Sequence, residues 1–243
     1  MHTVISTTDL TRTYGDVVAV KSIDLEVAEG ELFGLLGPNG SGKSTTVKLL
    51  TGQIRPDTGS MRVLDADVLA DPVAVRAKVG IIPEQETPPS FLTAEEYLQF
   101  AARIRTLDNG VDERIAYWFD LLEFGETRDQ LCKDLSRGTR QKLMVAQAFL
   151  HEPRLAIIDE PLINLDPVMQ RTIKDFLTDY VRHGNTVFLS THILSIAEEI
   201  CSSVGILHRG ALRYQGGIDT LREEHSSLEG AFLALVGKPA REA

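Results

Sequence analysis

The chain has 243 residues, of which 43% are hydrophobic, enough to build one large domain or two small ones around a substantial core. Its formal net charge of −10 argues against broad binding to a nucleic-acid backbone, because domains that bind in this way are usually basic. No apolar run approaches the roughly 18 residues that span a bilayer, and no secretory signal precedes the first strand. Two distant cysteines, Cys132 and Cys201, indicate ordinary core thiols.

The first strands of the chain are predicted to be half exposed. Apolar and polar residues alternate in residues 4–27, most clearly in residues 23–27, and residues 61–63 continue the pattern. This alternation is typical of a small antiparallel sheet with one face packed on a core. A continuous apolar run follows at residues 32–36 and predicts a strand buried on both faces.

Directly after this strand, a glycine-rich loop predicts a nucleoside triphosphate site. Its pattern, G-x-x-x-x-G-K-[ST], bends the backbone where a Cβ would clash, so that successive N–H groups face the β-phosphate. Lys43 offers a cation to the β- and γ-phosphates, Ser44 offers its hydroxyl to Mg²⁺, and a helix beginning near Lys43 adds partial positive charge. The loop residues expected to bind the nucleotide are Gly37, Pro38, Asn39, Gly40, Ser41, Gly42, Lys43, Ser44 and Thr45.

The middle and the end of the chain differ in periodicity. Residues 87–150 carry three runs with helical spacing, which predict an inserted helical subdomain. Apolar strands return at residues 155–158, 186–189 and 204–207, with a helix predicted over residues 168–182 between the first two. Strands that alternate with helices indicate an α/β fold with a mostly parallel sheet, beside the small antiparallel sheet.

Two further motifs narrow the range of phosphate-loop families to which the glycine-rich loop can belong. In residues 135–142, Ser136 and Gly138 precede a helix predicted to start near Thr139. A hydroxyl, bare N–H groups and a positive helix end at one point suit a γ-phosphate, although an N-capped core helix has the same pattern. The apolar strand at residues 155–158 runs into Asp159 and Glu160, an arrangement expected where Mg²⁺ is held near a phosphate loop.

With these motifs in this order, the chain resembles the ATP-binding cassette ATPases over nearly its whole length, from about Leu10 to Gly217. The resemblance implies a P-loop NTPase core that binds ATP and Mg²⁺ and hydrolyses ATP. It matches Tyr14 to the aromatic residue that stacks on adenine and His192 to the switch histidine. It matches residues 164–166 to the D-loop of the family, in which Asp166 is expected to contact the nucleotide. Ser136 and Gly138 match the family signature, in which the usual L-S-G-G-Q reads Leu-Ser-Arg-Gly-Thr here.

The resemblance also distributes the chemistry among the acidic residues. Asp159 would hold Mg²⁺, directly or through water, and Glu160 would orient and deprotonate the attacking water. His192 would donate to the γ-phosphate. A further metal contact falls in the segment that follows Pro83, where the position favours Glu84 over Gln85.

The single copy of the signature implies partners, because in this family the signature completes the site of the opposite subunit. We therefore expect a second copy of the chain in an ATP-sandwich dimer, and a separate transmembrane permease gripped by residues 87–105, with Phe91 and Leu92 as candidate contacts. The resemblance is nearest to bacterial and archaeal exporters of drugs, antibiotics or polysaccharides, which implies a cytoplasmic position on the inner face of the membrane. Nucleic acid is not an expected partner.

The alternative function is that of a non-transport cassette that regulates ribosomes or DNA. Relatives of that kind usually carry tandem cassettes, long insertions or basic patches, which this sequence lacks. The domain organisation expected is one ATPase domain at residues 1–225, with its helical subdomain at about 87–150, and a short tail at residues 226–243 with apolar residues at helical spacing.

Overall fold

The computed structural model describes residues 2–84, 88–225 and 227–237. In chain order its strands are β1 (Thr3–Tyr14), β2 (Val17–Ala28), β3 (Leu32–Leu36), β4 (Thr58–Val63), β5 (Ala66–Asp67), β6 (Val79–Ile82), β7 (Leu155–Asp159), β8 (Thr186–Thr191), β9 (Ser203–His208) and β10 (Ala211–Gly217). Its helices are α1 (Lys43–Leu50), α2 (Pro72–Lys78), α3 (Ala94–Ile104), α4 (Val111–Leu121), α5 (Arg137–Phe149), α6 (Pro167–Arg182), α7 (Leu194–Ile200), α8 (Ile218–His225) and α9 (Leu228–Val236). Among the described residues, no helix combines the length and apolar character needed to cross a membrane.

The first sheet is antiparallel, as the alternating sequence predicts. Its strand order is β2-β1-β4-β5, and Ile5 of β1 lies between Val27 of β2 and Val63 of β4. Along β2, Ile23, Leu25 and Val27 are buried while the residues between them are exposed. One face of this sheet therefore packs on the core and the other faces solvent.

The second sheet has six strands in the order β10-β9-β3-β8-β7-β6. Strands β9, β3, β8, β7 and β6 are parallel, and β10 pairs with β9 in the antiparallel direction at one edge. This mixed architecture confirms the predicted α/β fold with a mostly parallel sheet and a separate antiparallel sheet. Because β3, β8 and β7 are parallel neighbours, the loops that follow them meet at the same edge of the sheet.

Both faces of the parallel sheet are covered, which explains why its strands are continuously apolar. In β3, Phe33 and Leu35 belong to the core shared with the antiparallel sheet, whereas Leu32 and Leu36 belong to the core shared with the helices. The ring of Phe33 stacks on that of Phe188 in β8, with centroids 5.4 Å apart. Truncating such a buried ring to alanine costs about 3 to 5 kcal/mol.

The helical lobe consists of α3, α4 and α5. Helix α3 begins at a capping box, in which the Thr93 hydroxyl accepts from Glu96 N and the Glu96 carboxylate accepts from Thr93 N. Helix α5 begins at Arg137, two residues before the start predicted from sequence, because the Ser136 side chain caps it. The predicted first residue of the lobe, Thr87, lies outside the described residues.

The C-terminal segment packs back on the helical face of the sheet. Ser227 caps α9 by accepting a hydrogen bond from Gly230 N at 3.0 Å, and Leu228 and Ala231 are fully buried. Residue 226 and residues 238–243 of the expected tail lie outside the described part of the chain. The two cysteines, Cys132 and Cys201, are buried free thiols, as their spacing predicts.

Candidate functional site

The glycine-rich loop lies between β3 and α1, and its neighbours explain the need for glycine. Gly42 caps α1 with a φ of 110°, and a Cβ there would approach Ala19 O to 2.2 Å. A Cβ on Gly37 would approach Leu207 O to 2.4 Å. Backbone from β2 and β9 therefore closes directly on the loop, and only glycine fits at these two positions.

Lys43 is the first residue of α1 and is almost completely buried. Its Nζ donates to Gly37 O at 2.8 Å and to Pro38 O at 3.4 Å. Burial lowers the pKa of Lys43, and the negative charges of Glu160 and Asp159 partly oppose that shift. The loop carbonyls thus hold a buried ammonium group directly beside the two predicted acidic residues.

The loop residues open onto a cavity of about 530 Å³. This nucleotide cavity is within the size range of small-molecule sites. The predicted site residues that line it are Asn39, Gly40, Gly42, Lys43, Ser44, Thr45, Glu84, Glu160 and His192. The fold therefore brings together side chains from the ends of β3, β6, β7 and β8 at one edge of the parallel sheet.

Asp159 ends β7 and is buried behind this cavity. Burial raises the pKa of its carboxyl group; the hydroxyls of Ser190 and Ser44 partly oppose the shift, and Glu84 and Glu160 add to it. Among the described residues, neither carboxylate oxygen of Asp159 has a hydrogen-bond partner of regular geometry. A buried carboxylate without a partner is costly unless something else compensates its charge.

These side chains fit Mg²⁺. The ion prefers oxygen ligands and usually takes one or two carboxylates together with substrate phosphates and water. Asp159 offers unpartnered carboxylate oxygens, and Ser44 offers a hydroxyl beside it. Within the described ranges, no group of three or more His, Cys, Asp or Glu side chains is placed to hold a metal by itself.

Neighbouring residues of a strand point to opposite faces, yet the adjacent residues Asp159 and Glu160 are both expected to act at one site. The backbone conformation of Glu160 allows this. Its φ of 49° turns the chain just after β7, and its N–H donates to Ser190 O at 2.9 Å. The carboxylate then lies against the end of β8: Thr191 Oγ1 donates to Oε2 at 2.9 Å, and His192 N donates to Oε1 at 2.9 Å. The Nδ1 of His192 contacts the same Oε1 at 2.6 Å.

His192 thus lies beside the predicted base rather than apart from it. Its side chain is 42% exposed, whereas that of Glu160 is 11% exposed. The Nε2 side of the ring is the one not used in the Glu160 contact. Thr191, which sequence analysis did not single out, holds the second carboxylate oxygen, and its only sequence signal is its position directly before His192.

The segment after β6 places Glu84 on the wall of the nucleotide cavity, where its charge acts on Lys43 and on Asp159. The alternative residue, Gln85, lies outside the described residues. Glu84 therefore stays the predicted metal contact of this segment.

Apart from Asp159 and three residues of the glycine-rich loop, Gly37, Pro38 and Ser41, four predicted site residues do not line the nucleotide cavity of their own chain. Tyr14 is 44% exposed at the end of β1, with the Arg12 guanidinium 4.9 Å from its ring centre. Asp166 caps α6 by accepting from Val168 N and Met169 N, each at 3.0 Å, and the bond from Met169 N is the main cause of its lowered pKa. The other two, Ser136 and Gly138, belong to the start of α5.

The signature segment forms a small, solvent-facing hydrogen-bonded unit. Ser136 Oγ accepts from Thr139 N at 3.1 Å and lies 2.8 Å from Thr139 Oγ1. A Cβ on Gly138 would approach Asn164 O to 2.9 Å, so the loop before α6 packs closely on this glycine. The unusual threonine of the signature therefore contacts the serine hydroxyl directly.

Some residues of the cavity carry no sequence signal that would have identified them. Gln141 of α5 reaches the cavity wall and donates from Nε2 to Pro161 O at 3.0 Å. Val17 and Ala19 of β2 line the opposite wall. These contacts depend on how the helical lobe and the antiparallel sheet close around the loop, which no local pattern specifies.

Comparison with known proteins identifies the family of the chain. The family model described as ABC transporter matches residues 20–163. The chain is 34% identical to the Nod factor export ATP-binding protein I of Bradyrhizobium diazoefficiens, over 88% of this chain and 70% of that protein. It is also 34% identical to the bacitracin transport ATP-binding protein BcrA of Enterococcus faecalis, over 93% and 73%, and to the daunorubicin/doxorubicin resistance ATP-binding protein DrrA of Streptomyces peucetius, over 95% and 69%.

Solved structures show the same architecture. The ATP-binding subunit of an ABC transporter superimposes with a TM-score of 0.89 at 31% identity, covering 96% of this chain and 99% of that one. A dimeric, post-hydrolysis ATP-binding cassette bound to ADP and phosphate superimposes with a TM-score of 0.80, covering 88% of this chain and 98% of that one. At 23% identity, the second likeness concerns the fold alone.

Proposed function

This chain belongs to the ABC transporter family, and we propose that it is the ATP-hydrolysing subunit that powers a separate membrane permease, in the direction of export. The observation that carries the proposal is the convergence of a buried lysine, a buried carboxylate and a held glutamate at one edge of the parallel sheet. Residues 1–225 would form the ATPase domain, with the helical subdomain at about 87–150 and a tail at 226–243.

Lys43 would bind the ground-state nucleotide. Its ammonium group is already desolvated and directed by Gly37 O and Pro38 O, so the β- and γ-phosphates gain a fixed cation at small entropic cost. The N-terminus of α1 and the loop N–H groups would share this work. The remaining loop residues, from Asn39 to Thr45, would shape the site.

Asp159 and Ser44 would hold Mg²⁺ together with the nucleotide phosphates, and Glu84 would approach from the segment after β6. Bound there, the ion would neutralise charge on the transferring phosphoryl group. The buried Asp159 carboxylate would then gain the compensating charge that the protein alone does not supply.

Glu160 would act on the attacking water. Two N–H or O–H donors and the His192 ring fix its carboxylate. Oε1 has two of these contacts and Oε2 has one, so Oε2 would keep a lone pair in a defined direction to accept the water proton. His192 couples this position to the γ-phosphate: its Nδ1 contacts Glu160, and its Nε2 would donate to the phosphate. The pair therefore links recognition of the γ-phosphate to the orientation of the base.

A second copy of the chain would complete each site. Ser136 and Gly138 lie at the exposed start of α5, and Asp166 lies at the exposed start of α6, outside their own nucleotide cavity. In a head-to-tail pair, these residues would meet the nucleotide held by Lys43 of the other copy. Tyr14 would contribute from its own chain by stacking on adenine.

The permease would dock on a groove between α2 and α3. The groove has a volume of about 370 Å³, and its rim includes Val73, Phe100 and Ile104, which are 65%, 47% and 66% exposed. Phe91, at 76% exposure, lies just before α3 but does not line the groove. A permease held there would place the chain on the inner face of the membrane, and movement of α3 would be transmitted towards Glu84.

The test is stimulation of ATP hydrolysis by a candidate permease, a membrane protein whose gene neighbours the gene of this chain. We expect the two to co-purify and the permease to raise the ATPase rate. Ile104→Glu should abolish the stimulation and leave the basal ATPase rate unchanged. Leu233→Glu introduces the same charge at an exposed position of α9 and should change neither the stimulation nor the basal rate. If no membrane protein co-purifies and ribosomes or DNA raise the rate instead, the chain is a regulatory cassette and the transport proposal is wrong.

A further inference from the structure

A groove lined by aromatic rings separates α4 from α6 and is distinct from the nucleotide cavity. We define this aromatic groove by Tyr117, Phe149, Phe176 and Tyr180, with Glu113 and Glu152 at its rim. It has a volume of about 430 Å³, in the range of small-molecule sites, and continues along α6 into a second cavity of about 760 Å³. Its residues share no position with those that line the nucleotide cavity.

The position of the aromatic groove in the fold explains this separation. Glu152 lies shortly before β7, and Asn185, which lines the continuation of the groove, directly precedes β8. The nucleotide cavity instead follows the carboxyl ends of these strands. The two sites therefore lie at opposite edges of the parallel sheet.

The rings of the groove contact one another in an unbroken series. Tyr117 is 51% exposed and meets the buried Trp118 edge-on, with centroids 5.4 Å apart. Trp118 meets Phe176 at 5.0 Å, and Phe149 meets Phe176 at 4.9 Å and Tyr180 at 5.1 Å. The chain has nine phenylalanines, five tyrosines and one tryptophan, and five of these aromatic residues line this one groove. Aromatic rings that line a groove can offer their negative faces to a bound cation.

Carboxylates outnumber basic side chains in the lining of the groove and its continuation. Four carboxylates line the groove and its continuation, namely those of Glu113, Glu152, Asp175 and Asp179. The last two form exposed ion pairs with Arg171 and Arg182 on the outer side of α6. The guanidinium of Arg114, the basic side chain in the lining, donates to Leu150 O and Asn109 O and lies 3.9 Å from Glu152.

Tyr180 supplies a second, independent feature. Its hydroxyl is buried in the wall of the groove and has no hydrogen-bond partner among the residues that the structure describes. Burial and, to a smaller extent, the charge of Glu152 raise the pKa of this hydroxyl. The carboxylate of Glu152 therefore acts on the interior of the groove as well as on its rim.

We propose that the aromatic groove binds a low-mass organic cation, whose positive group rests against the rings of Tyr117, Phe176 and Tyr180 beside the carboxylate of Glu152. Ring faces attract cations, and carboxylates strengthen the attraction while they repel anions. An apolar ligand would fill the volume without using either charge pattern. Binding here does not depend on ATP hydrolysis or on a permease.

The position of Trp118 provides the measurement, because it is the single tryptophan of the chain and contacts three of the groove rings. Choline is the probe, and 3,3-dimethylbutan-1-ol, in which a neutral tert-butyl group replaces trimethylammonium, is its matched control. Both are titrated into the full chain without nucleotide, at constant ionic strength. We expect a saturable change in Trp118 emission with choline and none with the neutral alcohol.

Variants locate the binding. Tyr117→Ala should weaken choline binding about two- to thirtyfold, the range expected for one cation–π contact. Glu152→Gln should weaken it too, whereas Phe91→Ala and Glu126→Gln, exposed changes outside the groove, should leave it unchanged. Equal responses to choline and to the alcohol, or no saturable response to choline, would overturn the proposal. So would binding of a basic peptide without binding of choline, which would assign the groove to a protein partner.

Discussion

The two halves of the proposed composite site are built in opposite ways. Around the glycine-rich loop, Lys43 and Asp159 are buried, and their charges act on one another through the protein interior. At the start of α5, Ser136 is exposed and its hydroxyl is engaged with Thr139 of the same turn. The first half is preorganised within one chain, and the second is a surface that acquires a function only against another molecule.

Both halves nevertheless use the same device, a helix N-terminus without acidic residues. Helices α3 and α4 carry acidic residues in their first turn, the usual complement to the helix dipole. Helices α1 and α5 carry none, a feature that they share with α2, α6 and α7, and α5 begins with Arg137. A cation at that end opposes the dipole of an isolated helix, but it would assist the N–H groups of α5 in binding an anion.

The largest expected effect tests the buried half. Glu160→Gln should lower the rate of ATP hydrolysis about 10² to 10⁴-fold, because an amide cannot accept the water proton, while ATP binding is retained. Lys43→Ala should instead abolish ATP binding, because it removes the buried cation that faces the phosphates. Phosphate release and nucleotide titration separate the two. A Glu160→Gln protein that turns over near the wild-type rate would contradict the assignment of the base.

The next effect tests the exposed half. In a Glu160→Gln background, ATP should convert monomers to dimers, and Ser136→Arg should prevent this. Each lost hydrogen bond to a charged phosphate costs about 1.5 to 3 kcal/mol, and a symmetric dimer loses two. Light scattering with and without ATP measures the change, with Ser60→Arg on exposed β4 as the control. Dimers that form equally well with Ser136→Arg would show that the signature segment does not contact the nucleotide of the other copy.

Arg137 tests whether its charge contributes to the same contact. Arg137→Gln should weaken ATP-dependent dimerisation about three- to tenfold and reduce its dependence on salt, because one charge-assisted contact is lost. Lys133→Gln removes a nearby exposed charge outside the first turn of α5 and should change neither quantity. Dimerisation measured across a salt series decides between them. An equal loss of dimerisation for both variants would show that general surface charge causes the effect and that Arg137 makes no specific contact.

A smaller effect concerns the stability of the folded chain, which the buried carboxylate of Asp159 lowers. Because burial raises the pKa of Asp159 in the folded chain, its ionised form opposes folding above the pKa of the unfolded chain. Asp159→Asn should therefore raise the melting temperature at neutral pH without Mg²⁺ or ATP. The gain should vanish as the pH falls through the acidic range, where the carboxyl is protonated in both states. Thermal unfolding across pH measures it, with exposed Asp129→Asn as the control; a gain that does not vary with pH would contradict the explanation.

The elements predicted from sequence and those found in the structure agree where one short pattern specifies one backbone shape. The run at Leu32–Leu36 predicted β3, and the glycine spacing predicted a loop that Gly37 and Gly42 indeed require for steric reasons. The start of α5 was placed two residues late, because the apolar pattern begins after the capping residue Ser136. Patterns of side-chain burial thus locate a helix better than they locate its ends.

The sequence by itself determined the order of motifs, the α/β class and the identity of the chemical groups, because each depends on neighbouring residues and their periodicity. Only the tertiary structure decided which groups meet. The turn at Glu160 and its contacts with Thr191 and His192 join β7 to β8, more than thirty residues apart in the chain. The aromatic groove likewise needs three helices to assemble its rings. Such contacts arise from packing of the whole chain, and local spacing contains no record of them.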